Sequence, residues 1–330
     1  MKVRIIGTGS WATALAQVLV DNGQDVLLYG ISQDEIDDIN NNHRNDKFFD
    51  VDIAEGIKAS NDLNIINDAD IILLATPVKA IEGVMNQILE ILDHPVYFIN
   101  VSKGFHPETF ERLSVFIKRM AKDKCLDVIS LIGPSHAEEV IQRLLTTVNS
   151  VCENEEVAAK VQELFANQYF RVYRNTDVVG AEIAAACKNI FAIASGVLQG
   201  LNQGDNARAA LMTRGLFEMT RFGLFFGGKE STFLGLNGVG DLIVTCSSYH
   251  SRNFQAGLII GKDDDATMFL KNNQKTTEGV LTTKVVYELA MKYNINMPIT
   301  AEVYKVLYEH KKPSSAINDL MSRELKAEMI

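Results

Sequence analysis

A glycine turn near the amino terminus constrains this chain more than any other feature. Val3 to Ile6 make a short apolar run, Gly7-Thr8-Gly9-Ser10-Trp11-Ala12 follow, and Thr13 to Leu19 continue with small and apolar residues at helical spacing. In a strand, turn, helix sequence each small residue has its own task. Gly7 permits the tight turn, Gly9 lets a ligand approach the backbone, and Ala12 leaves room for helix and strand to pack closely. The helix start then presents free N–H groups and the positive end of its dipole to phosphates. Alone, such a turn can do no more than connect two elements; in this context it points to the pyrophosphate of a dinucleotide. It names no reaction.

The pattern repeats through the first half. Apolar runs at Asp25 to Tyr29, Asp70 to Ala75, Val96 to Val101 and Val128 to Ile132 each read as a strand, and the last three end in Thr76-Pro77, Ser102-Lys103-Gly104 and Gly133-Pro134-Ser135. Strands that end in small, polar or turn residues deliver loops to the carboxyl edge of a sheet, where doubly wound folds bind ligands. From about Val178 the strand-like runs cease, and Glu182 to Leu201 and Ala207 to Phe226 read as helices. The expected fold is α/β: a Rossmann-like doubly wound sheet over residues 1–178, joined by right-handed crossovers, and an all-helical domain over residues 179–330.

Composition narrows the partners. A chain of 330 residues can bury two cores, and its formal charge of −10 lacks the basic footprint that nucleic acid or an anionic membrane demands. No apolar run approaches the ~20 residues of a membrane span, and no basic segment precedes an export-type apolar stretch. The four cysteines, Cys125, Cys152, Cys187 and Cys246, are scattered without a C-x-x-C pair or a histidine at ligand spacing. They read as reduced structural thiols of a cytoplasmic protein with no metal site. Asp263-Asp264-Asp265 reads as a solvated loop.

Four local features carry chemistry. The second strand ends in Tyr29-Gly30-Ile31-Ser32, with no acid until Asp34 and Glu35. A carboxylate at that strand end commonly accepts from the ribose 2′-hydroxyl of NAD. Its absence removes repulsion against the 2′-phosphate of NADP, yet no adjacent arginine supplies a clamp, so use of both cofactors or a preference for NADP is expected. Lys188 stands in Ala184-Ala185-Ala186-Cys187-Lys188-Asn189-Ile190-Phe191-Ala192, one ammonium among short or apolar side chains. Either it snorkels out of a half-buried helix, or desolvation tunes it as a general acid or base. Gly238-Val239-Gly240-Asp241 puts a carboxylate on a glycine turn, where it either satisfies local amides or aims at a partner. Ser251-Arg252-Asn253 offers a hydroxyl, a planar guanidinium and an amide; it is an ordinary loop or the cradle of a phosphate dianion.

The set GTGSWATALA, NVSKG, GPSHAEE, ACKNI, NARAALMTRGL, GVGDLIVTC, HSRN and TTEG, in this order over nearly the whole chain, resembles the NAD(P)-dependent glycerol-3-phosphate dehydrogenases of bacterial type. The resemblance implies reversible reduction of dihydroxyacetone phosphate to sn-glycerol 3-phosphate, which supplies the glycerol of phospholipids. It implies Lys188 as catalytic acid and base and Lys103, which alone reads as an exposed loop lysine, as a second cation at the substrate oxygens. It further implies Gly133, Ser135 and Asp241 as substrate contacts, with Asp241 orienting Lys188 or the substrate hydroxyl. Ser251, Arg252 and Asn253 would hold the phosphate. Gly7, Gly9, Ser10, Trp11, Ala12, Lys103, Ala137, Arg252 and Glu278 would contact the cofactor, NAD or NADP.

Departures from the family pattern are Ile31 in place of a polar residue near the adenosine ribose, Thr276 in place of an aliphatic one, Arg143-Leu144-Leu145 in place of Gly-Leu-Pro, and Asp263 in place of glycine. None removes a proposed catalytic group. The expected partner is the small substrate pair, without nucleic acid or stable membrane insertion, and a homodimer is compatible. Two rival readings share the architecture: a β-hydroxyacid or 6-phosphogluconate-type dehydrogenase, which has no need of Ser251-Arg252-Asn253, and a non-catalytic NAD(H) sensor, for which Lys188 and Asp241 would have no purpose.

Overall fold

Apolar runs that are buried on both faces become parallel strands, and Val3 to Ile6 and Ile71 to Leu74 are buried at every position. The computed structural model describes residues 1–272, 277–325 and 327–328; Thr276 lies outside them. Its strands are β1 (Lys2–Ile6), β2 (Asp25–Tyr29), β3 (Lys58–Ser60), β4 (Ile71–Leu74), β5 (Val96–Asn100), β6 (Cys125–Ile132), β7 (Thr146–Val151) and β8 (Phe170–Asn175). They form one sheet in the order β3-β2-β1-β4-β5-β6-β7-β8. The first six are mutually parallel, with Lys2 opposite Asp25 and Val3 opposite Ile71. β7 runs antiparallel to β6 and parallel to β8.

Three strands escape the reading of apolar runs. β3 has three residues, too few to show a period. β7, Thr-Thr-Val-Asn-Ser-Val, is polar at four positions but almost wholly buried, and its polar groups find partners: Ser150 Oγ donates to Ala158 O at 2.9 Å and Thr146 Oγ1 to Leu144 O at 3.1 Å. β8 alternates buried Phe170 and Val172 with exposed Arg171 and Tyr173, as an edge strand does.

By the density of its internal contacts the chain forms two units, one of Met1–Ala185 with Phe226–Asp241 and one of Ala186–Phe225 with Leu242–Ile330. The Val178–Gly200 helix contributes to both. Its 23 residues are long and apolar enough to cross a membrane, contrary to expectation, but 94% of its apolar window is buried inside the protein. A helix apolar on all sides needs such a core. In the sheet unit Glu182 anchors this helix. It accepts from Ser114 Oγ and Ser130 Oγ, each at 2.7 Å, and from Arg112 Nη1 at 2.9 Å. A buried carboxylate is tolerated because every approach to it is a donor.

In the helical unit, Gly196 packs against the Arg252–Asp263 helix so closely that a Cβ on it would lie 2.1 Å from Phe254 O. A Cβ on Gly257 would lie 1.9 Å from Ile193 O. The two backbones therefore meet without side chains between them, and the start of the second helix is held at the level of Asn189.

Among the described residues the four cysteines form no disulfide. Burial pushes the Cys125 thiol up to about 11 and Cys152 up to about 12, so neither is a nucleophilic thiolate near neutrality.

A buried acid in the helical unit makes stability depend on pH. Glu218, on the Gly204–Phe225 helix, accepts from the backbone N–H of Ile299 at 2.6 Å and of Thr300 at 3.2 Å, capping the Pro298–Tyr308 helix. Burial pushes its carboxyl up to about 7, although those amides pull it down. Because folding raises this pKa, the contribution is full below the usual carboxylate value, falls as pH rises towards 7 and is flat above. At ~1.4 kcal/mol per pKa unit the loss is roughly 3 kcal/mol. Glu218→Gln mimics the neutral acid, so the stability difference between parent and variant should change by about that much across this window in urea titrations. A flat difference would show that the carboxyl keeps one protonation state.

Candidate active site

At the carboxyl edge of the sheet, Gly7 leaves β1 with φ +125°, a left-handed geometry that favours glycine. Its N–H donates to Tyr29 O at 2.8 Å, and a Cβ on it would lie 2.8 Å from Ala75 O, just beyond β4. The strand order reverses between β1 and β4, and in doubly wound sheets ligands bind at that reversal. Gly9 differs: a Cβ there would meet nothing within 4 Å, so open space stands over the backbone. The Ser10–Asp21 helix starts at this point with no side-chain cap and no acid in its first turn. Ala12 is buried 3.9 Å from the position of a Cβ on Gly7, as the third, small-residue place of the motif requires. An uncapped helix start under open space fits a pyrophosphate. Trp11 is the chain's lone tryptophan and belongs to the first turn.

Beyond β5 and β6 the sheet unit gathers a second group. Lys103 Nζ donates to Gly133 O at 3.0 Å and lies 3.3 Å from Asp241 Oδ2. Ser135 Oγ donates to the same Gly133 carbonyl at 3.1 Å. The Asp241 side chain is fully buried and that of Lys103 only 15% exposed, so Lys103 is no exposed loop lysine. Ala137, buried, opens the short Ala137–Val140 helix immediately after this group.

In the helical unit Lys188 is 4% exposed, which removes the snorkelling alternative. Its Nζ donates to Thr245 Oγ1 at 2.9 Å. Thr245 lies on the Asp241–Ser247 helix, one turn after Asp241. Ser251 caps the Arg252–Asp263 helix, its Oγ accepting from Phe254 N at 3.2 Å, while Arg252 is exposed at the first position. Asn253 is buried and engaged on both sides: Nδ2 donates to Asn189 Oδ1 and Oδ1 accepts from Gly279 N, both at 2.9 Å. It thus ties three helices together. Glu278 opens the third of them, Glu278–Lys292.

Three contributors were not singled out in the sequence. Thr245 and Asn189 sit inside the motifs GVGDLIVTC and ACKNI, and their signal was adjacency to residues already chosen. Glu35, one turn into a short helix after β2, accepts from Thr8 Oγ1 and Lys47 Nζ. No sequence spacing announces that triad. Ile31 is 90% exposed just beyond Gly30.

A doubly wound sheet with an open glycine turn, and a helical unit that buries one lysine beside a hydroxyl, define a dinucleotide-dependent dehydrogenase. Comparisons with known proteins refine this. The family description NAD-dependent glycerol-3-phosphate dehydrogenase matches twice, its N-terminal part over residues 2–158 and its C-terminal part over residues 177–318. The chain belongs to that family. It is 46% identical over 330 residues to the glycerol-3-phosphate dehydrogenase [NAD(P)+] of Streptococcus agalactiae, covering 99% of this chain and 98% of the relative. The crystal structure of glycerol-3-phosphate dehydrogenase from Coxiella burnetii superposes with a TM-score of 0.89 at 35% identity, covering 98% and 99% of the two chains. The yeast enzyme gives 0.82 at 27%, again covering 98% and 99%. A ketopantoate reductase from Ralstonia eutropha, at TM-score 0.62 and 14% identity over 96% of this chain and 100% of that one, shares the fold.

Proposed function

We propose that the chain interconverts dihydroxyacetone phosphate and sn-glycerol 3-phosphate, with residues 1–178 binding the dinucleotide and residues 179–330 supplying most of the substrate contacts. This reading takes the enzyme as a cytoplasmic source of glycerol phosphate for phospholipid synthesis, assembled as a homodimer, which light scattering in solution would test. The observation that carries the chemistry is Lys188, buried yet held by Thr245 Oγ1 at 2.9 Å.

When bound, NAD(P)H supplies the hydride and NAD(P)+ takes it back. Gly9, Ser10, Trp11 and Ala12 receive the pyrophosphate on backbone amides, Gly7 shapes the turn that brings the cofactor to them, and Ala137, Lys103, Arg252 and Glu278 complete the cofactor contacts. Lys188 gives a proton to the substrate's carbonyl oxygen during reduction and removes it from the hydroxyl during oxidation. Its positive charge stabilises a developing alkoxide more than a neutral carbonyl, so it lowers the barrier as well as aiding binding. Thr245 fixes the ammonium's direction. Lys103, oriented by Asp241 and the Gly133 carbonyl, gives the substrate oxygens a second cation, and Ser135 bonds them. Ser251, Arg252 and Asn253 take the phosphate at the start of their helix, where the dipole also favours an anion.

Dihydroxyacetone phosphate added to protein with NADH or NADPH should cause prompt loss of near-ultraviolet absorbance. Absence of turnover with either cofactor, despite measurable binding, would sink the assignment and advance the hydroxyacid dehydrogenase and sensor readings. Arg252→Ala should separate binding from chemistry. A charge-assisted guanidinium–phosphate contact is worth ~1.5–3 kcal/mol, so KM for dihydroxyacetone phosphate should rise roughly 10- to 100-fold while kcat changes little. An unchanged KM would remove Arg252 from the phosphate site.

A further inference from the structure

The end of β2 carries no acid in sequence, but folding brings one there. Thr8, between the two glycines of the turn, points at Gly30, whose Cβ would lie 2.5 Å from Thr8 Cγ2. Thr8 Oγ1 donates to Glu35, which is 9% exposed, and Glu35 in turn holds Lys47. A carboxylate therefore stands against the turn and the strand end that face the adenosine ribose of a dinucleotide in this fold class.

The surrounding charge reinforces it. Residues 31–52 carry seven carboxylates against two cations, a net of −5. Both cations are committed: Lys47 to Glu35, and Arg44 to Asp46, Asp50 and Asp52, the last two at 2.9 and 2.8 Å. The first side chain beyond Gly30, Ile31, is apolar and exposed. A 2′-phosphate placed here would lose its water for no guanidinium fork and would meet a segment of net negative charge. A 2′-hydroxyl loses neither charge nor hydration shell.

We propose that this chain selects NADH over NADPH, with Glu35 and Ile31 as its specificity determinants. The inference rests on the dinucleotide reading above and deepens it, with a preference for NADH in place of the expected dual use or NADP preference. The test is equilibrium binding, followed by quenching of Trp11 fluorescence as NADH or NADPH is added without substrate. NADH should bind at least ~10-fold more tightly, a difference of ~1.4 kcal/mol, and the gap should narrow as salt is raised.

Glu35→Gln, which leaves Lys47 unneutralised, and Ile31→Arg, which adds a fork at an exposed position, should each cut the NADPH-to-NADH Kd ratio about fivefold or more, with the NADH Kd nearly unchanged. Ile31→Arg cannot disturb the core, so it remains decisive should Glu35→Gln unfold the turn. Equal affinity for the two cofactors in the parent, or a ratio that ignores Ile31→Arg, overturns the proposal and leaves the dehydrogenase reading standing. Failure of both cofactors to bind overturns the dinucleotide reading and this one with it.

Discussion

Lys188→Met is expected to reduce kcat by about three orders of magnitude or more, the range for loss of a general acid that also stabilises an oxyanion. Methionine retains the length and apolar stem of lysine, and the site is 4% exposed, so the variant should fold at least as well as the parent. Binding of NADH to the glycine turn should persist, because Lys188 is absent from that turn. A variant that keeps more than a tenth of the parent's kcat would show that the proton reaches the carbonyl oxygen by another route. Thr245→Val makes a milder companion: it removes the 2.9 Å hydrogen bond that aims Nζ and should lower kcat by less than Lys188→Met does.

A large loss of stability should come from Gly257→Ala. The added methyl would sit 1.9 Å from Ile193 O and 2.8 Å from Ile193 C, backbone atoms that can move only if the two helices separate. Overpacking of this kind costs about 3 kcal/mol or more, which corresponds to a fall of roughly 6–12 °C in the thermal midpoint of a unit this size. Gly83→Ala is the matched control. Gly83 lies inside the Ile81–Ile91 helix with nothing within 4 Å of its Cβ direction, so alanine should stabilise by ~0.5–1 kcal/mol through helix propensity. One chemical change should thus act with opposite signs at two helical glycines. Similar midpoints for both variants would show that the helices adjust without cost.

Much of the sheet was readable because a parallel strand buried on both faces leaves a continuous apolar run, as β1 and β4 do. β7 was not, because Thr146, Asn149 and Ser150 look like loop residues until their partners are known. The glycine turn was legible for a local reason: Gly7, Gly9 and Ala12 answer to constraints within one turn of backbone. Lys188 was legible as an oddity only. Its environment offered snorkelling or burial as alternatives, and the choice depended on what packs around the helix.

By itself, the sequence determined five of the eight strands, the change from an α/β to a helical half, the dinucleotide turn and the motif set that marks the family. These are written in short-range spacing and in residue type, which the chain carries before it folds. Only the tertiary structure decided which groups work together. Lys188 meets a hydroxyl 57 residues away, Lys103 meets a carboxylate 138 residues away, and Glu35 meets a turn residue 27 positions earlier. A charge acts over a few ångströms of space whatever the length of chain between the partners, so those pairings exist only once the backbone has closed on itself.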